Sequence, residues 1–146
     1  PSAISFQYAL AYWGFIPERV EALTCLCFKR NKNFKTSIGQ FTYSYIAAKF
    51  FSVGLKYIQT ELGNFFIASP EKALSDLIYH QKIKNEEEAI EYLLHDLRIS
   101  EEKILELELS NLLNIEKVYL KPSIKFLLNA VSALQVKHRQ GIDNNE

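Results

Sequence analysis

Methionine is absent from the sequence, cysteine occurs twice, proline four times and glycine five times in 146 residues. Two cysteines build no disulfide framework, and a chain this poor in glycine and proline is neither collagen-like nor a low-complexity linker. No run of about 18 apolar residues and no secretory leader is visible, so the sequence reads as cytoplasmic. The missing methionine, with a start at Pro1 that runs almost at once into an element, suggests an excised fragment. Also lacking are a Gly-rich phosphate loop, a His-Glu-x-x-His helix and a Gly-x-Ser-x-Gly elbow. No cofactor is implied.

What is present in quantity is aromatic. Ten Phe, eight Tyr and one Trp make 13% of the chain, enough ring area to fill the core of one domain or to furnish an adhesive surface. Net charge is zero but unevenly spread: seven bases face one acid between Arg19 and Thr60, while nine acids face four bases between Lys82 and Leu109. Such a split permits a basic face and an acidic face. Cys25 and Cys27, two apart, would point to one side of a strand and bridge each other poorly. With His80, His95 and His138 far along the chain, two buried thiols fit better than a metal site.

The spacing predicts an α+β fold: an N-terminal helix, a small antiparallel sheet of about four strands, then a helical half. Ser5 is the expected N-cap of a helix carrying Phe6, Ala9, Leu10 and Trp13, stopped by Gly14. A short helical turn over "ERVEAL" is expected next. "TCLCFKR" and "TSIGQFTYSYI" read as a curled antiparallel hairpin, with "RNKNFK" as its basic connection. "LKYIQTE" and "NFFIA" form a second hairpin through Gly63 and Asn64. Helices follow, capped by Ser69, Asn85 and Ser100 and opened at Pro122. Residues 1–138 read as one domain and 139–146 as a frayed tail.

In "FFIASPEKALSDLIYH", residues 65–80, Ser69 caps, Pro70 fits the first helical position and Glu71 favours the helix dipole. Ala73, Leu74, Leu77, Ile78 and Gln81 mark the packed side. Lys72 and Asp76, four apart, would flank it as a surface pair worth roughly 0.3 kcal/mol. A catalytic use of that pair needs a third group and a pocket, and the local sequence offers neither. On this reading Lys72→Ala leaves stability nearly unchanged. A nuclease-type metal site assembled from Glu71 or Asp76 with Glu61 and Lys72 is the residual enzymatic alternative.

Lys29, Arg30, Lys32 and Lys35, with Phe34 among them, combine charges for phosphate with a ring for stacking. They are candidate contacts for nucleic acid or an acidic protein partner, and a plain solvated hairpin end has the same composition.

Three stretches carry a family resemblance. "ISFQYALAYWGFIPE" (4–18) resembles hydrophobic-Ser-x-x-x-Ala-Leu-x-(Tyr/Trp)-x-Gly-Leu-Ile-Pro-Glu. "FTYSYI", after Gly39, resembles a Gly-x-Phe-x-Tyr-x-x-Ile strand. "FFIASPEKALSDLIY" is similar to Ala-x-Pro-Glu-Lys-Ala-Leu-x-Asp-Leu. These are patterns of the antitoxin component of type IV, abortive-infection toxin–antitoxin systems, bacterial transcriptional regulators. The resemblance implies a non-catalytic C-terminal domain contributing to toxin neutralisation and promoter autoregulation. Promoter DNA would be read mainly by an N-terminal winged helix-turn-helix lying outside these residues. The functional partner implied is a nucleotidyltransferase-like toxin, with no membrane involved. The alternative is a protein-interaction or structural domain that touches no nucleic acid.

Overall fold

The computed structural model describes residues 2–17, 20–37 and 39–145. Strand-forming residues build β1 (Ser2–Ile4), β2 (Ala22–Cys27), β3 (Lys32–Thr36), β4 (Gly39–Tyr45), β5 (Leu55–Thr60) and β6 (Gly63–Ala68). The helices are α1 (Phe6–Tyr12), α2 (Ala48–Phe51), α3 (Pro70–Tyr79), α4 (Glu86–Glu91), α5 (Glu101–Ile104), α6 (Leu109–Tyr119) and α7 (Pro122–Asn144). A π-helical segment, Tyr92–Asp96, continues α4. The α+β class is as the sequence predicts.

The sheet is larger than expected and mixed: among the described residues it has six strands, in the order β3-β4-β2-β1-β6-β5. A strand, not a helix, comes first. β1 lies in mid-sheet, antiparallel to β2 and parallel to β6 through Ile4↔Ile67. The expected hairpin of "TCLCFKR" with "TSIGQFTYSYI" does not form, because β2 and β4 are parallel, with Cys25 beside Tyr43. The basic connection is itself a strand: β3 pairs antiparallel with β4, Phe34 opposite Phe41, and occupies the sheet edge. Alternation marks a residue as strand but does not choose its neighbour or direction. The β5–β6 hairpin forms, but it turns at Glu61 and Leu62: Gly63 and Asn64, the expected turn residues, open β6 opposite Thr60 and Gln59.

Of the "ERVEAL" turn, Glu18 and Arg19 lie outside the described residues, and Ala22 and Leu23 belong to β2. The predicted caps at Ser69, Asn85 and Ser100 all form, each oxygen accepting from the backbone N–H three residues on. Ser5 stands at the start of α1 as predicted, but its hydroxyl makes no capping bond. Thr24, from β2, takes that role: its Oγ1 accepts from Tyr8 N–H at 3.2 Å and donates to Ser5 O at 2.8 Å. Over the tail, α7 stays helical to Asn144.

α3 is the hub of the helical half. It packs on α1, α6, α7 and β6, and every residue from Glu71 to Ile78 is buried. Gln81, expected on its packed side, is exposed. Trp13 Nε1 donates to Ala68 O at 2.9 Å, tying α1 to the end of β6. Gln135, buried on α7, donates to Ile104 O and Leu107 O at 3.0 and 2.9 Å, satisfying carbonyls at the end of α5.

Gly54 is a turn that only glycine fits. Its φ is +77°, and a Cβ there would lie 2.8 Å from Lys72 Cβ, while its carbonyl accepts from Ser69 N–H at 2.8 Å. Gly54→Ala is therefore expected to lower stability by more than the roughly 1–2 kcal/mol of left-handed strain alone. Leu74→Ala should remove about 2–5 kcal/mol through a core cavity, and Ser69→Ala about 1 kcal/mol through the missing cap. Urea denaturation ranks the three; a Ser69→Ala effect larger than that of Leu74→Ala would contradict this packing.

Candidate functional site

The corner at Ser69 leads into a polar cluster that the sequence alone places elsewhere. Lys72 and Asp76 are not a surface pair: both side chains are 0% exposed, with Nζ 3.5 Å from Oδ1. The apolar stripe of α3 identifies one packed side, but α6 and α2 approach the other, so the charged flank is enclosed too. Local sequence also hides the third group. Tyr119, at the end of α6, donates its hydroxyl to Asp76 Oδ1, and Ser5 donates to Oδ2 at 2.6 Å. Lys72 Nζ donates to Tyr119 OH and to Phe50 O, both at 2.8 Å. The Phe50 ring stacks on Tyr119 at 4.7 Å.

Burial dominates the electrostatics. It pushes the Asp76 carboxyl above its ordinary range, against the charge of Lys72 and the hydrogen bonds from Ser5, Tyr119 and Lys72. It pulls the Lys72 ammonium down, against Asp76. The Tyr119 phenol is raised, first by burial and then by Asp76, which keeps its proton available for the carboxylate. Each polar atom has a partner, and among the described residues no buried side-chain nitrogen or oxygen is left without one. The cluster is a satisfied network, closed to solvent, that joins four elements.

Glu71 is nearly as enclosed. Asn111 Nδ2 donates to its Oε1 at 3.0 Å and to Glu108 Oε2 at 3.1 Å. Burial, the leading influence, raises the Glu71 carboxyl. Glu61, the third acid of the nuclease alternative, lies exposed in the β5–β6 turn while Asp76 is sealed. No group of three His, Cys, Asp or Glu among the described residues is arranged to hold a metal ion.

The basic residues meet at the far end of β2. A cleft of about 210 Å³ is lined by Lys29, Arg30, Lys32 and Phe34 together with Ser2, Cys27 and Tyr43. Lys35 is not in it. One residue on from Phe34 along β3, it falls to the other side of the strand. Phe34 is 49% exposed and meets Tyr43 edge to face at 5.9 Å. Asn31 Oδ1 accepts from Tyr45 N–H at 2.6 Å and Cys27 Sγ lies 3.1 Å from Arg30 O, bonds that hold the connection in shape. Alternation in "FTYSYI" is a signal for Tyr43; nothing local points to Ser2. Cys25 and Cys27 are buried free thiols as expected. Burial, with Cys27 beside it, pushes the Cys25 thiol up to about 11.

No protein-family profile matches the chain, and no curated protein matches it. No helix among the described residues is long and apolar enough to cross a membrane.

Enclosure reverses the expectation for Lys72. Lys72→Ala leaves the Asp76 carboxylate buried without its counter-charge and is expected to cost about 3–5 kcal/mol, measured by urea denaturation. A destabilisation below about 1 kcal/mol would restore the surface-pair picture. A carboxyl whose native pKa is raised contributes stability that is fully present below its unfolded value of about 3.9 and lost as pH rises through the native value. Relative to Asp76→Asn, the wild-type chain should therefore gain stability as pH falls from about 7 to about 4. Parallel pH profiles for the two proteins would refute the assignment.

Proposed function

We propose that this is a non-catalytic contact domain of an antitoxin-type transcriptional regulator, contributing to toxin neutralisation and to promoter autoregulation. The observation that carries the reading is what the fold does with the three stretches that resemble the type IV antitoxin patterns. The first and third converge on one another. Ser5, from the first, donates to Asp76, from the third, and Trp13, from the first, donates to Ala68, from the third; the second, as β4, pairs instead with β2 and β3. Lys72 and Asp76 then serve the interior, paired with each other, and Glu71 beside them is held by Asn111.

Contact falls to the surface. Lys29, Arg30 and Lys32 offer phosphate-binding charges around the exposed Phe34 ring, a combination suited to the backbone of DNA and not to base-edge reading. In the family resembled, base reading belongs to a winged helix-turn-helix, and this cleft would add affinity beside it. A second surface favours protein contact: on the β5–β6 hairpin, Leu62 is fully exposed and Tyr57 and Phe66, paired across the strands, are half-exposed. That is the surface through which a nucleotidyltransferase-like toxin would be engaged.

Neutralising Lys29, Arg30 and Lys32 together should weaken binding about equally to promoter and unrelated DNA, since phosphate contacts carry no base code. The slope of log affinity against log salt should become shallower by about 0.9 for each phosphate no longer neutralised. Titrations at several salt concentrations measure both. Superimposable curves for wild-type and variant proteins would remove the DNA role, and impaired toxin neutralisation with unchanged DNA affinity would assign the cleft to protein docking.

A further inference from the structure

Two residues flank the Asp76 cluster in a backbone conformation that side chains other than glycine rarely adopt. Phe6 has φ +57° and Leu120 has φ +52°. Each directly follows one of the two hydroxyl residues that hold Asp76: Phe6 follows Ser5, and Leu120 follows Tyr119. Ser5 and Tyr119 lie 71 and 43 positions from Asp76, on opposite sides of it in the chain. Left-handed residues of this kind persist only where surrounding contacts over-determine them. Phe6 is itself packed in the core, and the residues before the two, Ser5 and Tyr119, are tied to the same carboxylate. Leu120, 76% exposed, closes α6 as a left-handed cap whose N–H donates to Glu116 O at 2.9 Å.

The strand that Ser5 ends is short, and β2 pairs with it along its whole length. β1 has three residues, and its pairing with β6 rests on the single pair Ile4↔Ile67. On its other edge, Ser2 stands beside Cys27 and Ile4 beside Cys25. We propose that Asp76 is a two-sided latch: one carboxylate holds β1 through Ser5 and the α6–α7 junction through Tyr119, so that the two strained ends release together. Lys72 extends the latch to α2, because its ammonium bridges Tyr119 OH and Phe50 O. Ser2 lines the basic cleft; if that cleft is the contact surface proposed above, the latch also governs its floor and links it to the far side of the helical half. The coupling is reciprocal, since a shared element transmits a shift from either end.

The two cysteines provide a direct test. Cys25 is buried beside β1, so its labelling by a thiol reagent reports release of the strand. In a Cys27→Ser background, labelling is measured in native buffer without nucleic acid, alongside global stability in urea. Tyr119→Phe, on α6, should speed Cys25 labelling about tenfold or more beyond what its global destabilisation explains. Val131→Ala, a core truncation on α7, should speed it only in step with global unfolding. Leu120→Gly relieves the strain without touching Asp76 and should slow labelling, by up to about tenfold. If Tyr119→Phe behaves as Val131→Ala does, or Ser5→Ala releases Cys25 while Tyr119→Phe does not, the latch is overturned. Should Tyr119→Phe fail to fold, Leu120→Gly decides alone: unchanged or faster labelling rejects the proposal. DNA titrations play no part in this readout, so failure of the contact reading leaves it standing.

Discussion

One carboxylate, on a helix with no exposed side over its central turns, sets the terms for the rest of the structure. Asp76 receives hydroxyls from Ser5 and Tyr119 and stands 3.5 Å from the ammonium of Lys72. An ion in that position is tolerated only when nearly all of its hydrogen-bonding capacity is met. Meeting that requirement draws together the end of β1, the end of α6 and, through Lys72, the backbone of α2. It also explains Gly54, since the chain passes so near the Lys72 stem that a methyl group has no room.

Such a cluster is a poor source of net stability. Desolvating an ammonium and a carboxylate offsets much of their mutual attraction, and an apolar packing of similar volume is often as stable. Its value lies in discrimination between arrangements. An apolar core accepts many small slips, whereas a buried carboxylate accepts only those that keep two hydroxyls and an ammonium on it. The fold around it has a three-residue strand in mid-sheet and several short helices about α3.

The surface follows from the same geometry. β1 joins the sealed centre, through Ser5, to the basic cleft, through Ser2. The cleft gathers three cations and two rings because β3 turns back along β4 at the edge of the sheet. The exposed aromatic pair of the β5–β6 hairpin lies at the opposite edge. The charged cleft and the exposed aromatic pair thereby lie at opposite edges of the sheet.

Much of the local structure was written in the residues themselves. Caps at Ser69, Asn85 and Ser100, the pairing of β5 with β6 and the helix opened by Pro122 all depend on chemistry within a few positions, and all were legible. So was the buried state of Cys25 and Cys27. Other features depend on partners far along the chain. Ser5 has the right residue type and position for a cap, yet its hydroxyl goes to Asp76 because Thr24 supplies the cap from another strand. Lys72 and Asp76 have the spacing of a surface pair and become a core pair because α6 brings Tyr119 over them. The alternation of β2 and β4 says which residues are strand, but not that the two run parallel or that β3 stays outside. Short-range sterics and hydrogen bonding determined the elements; burial, which depends on how many neighbours close over a side chain, was decided only when the helices packed.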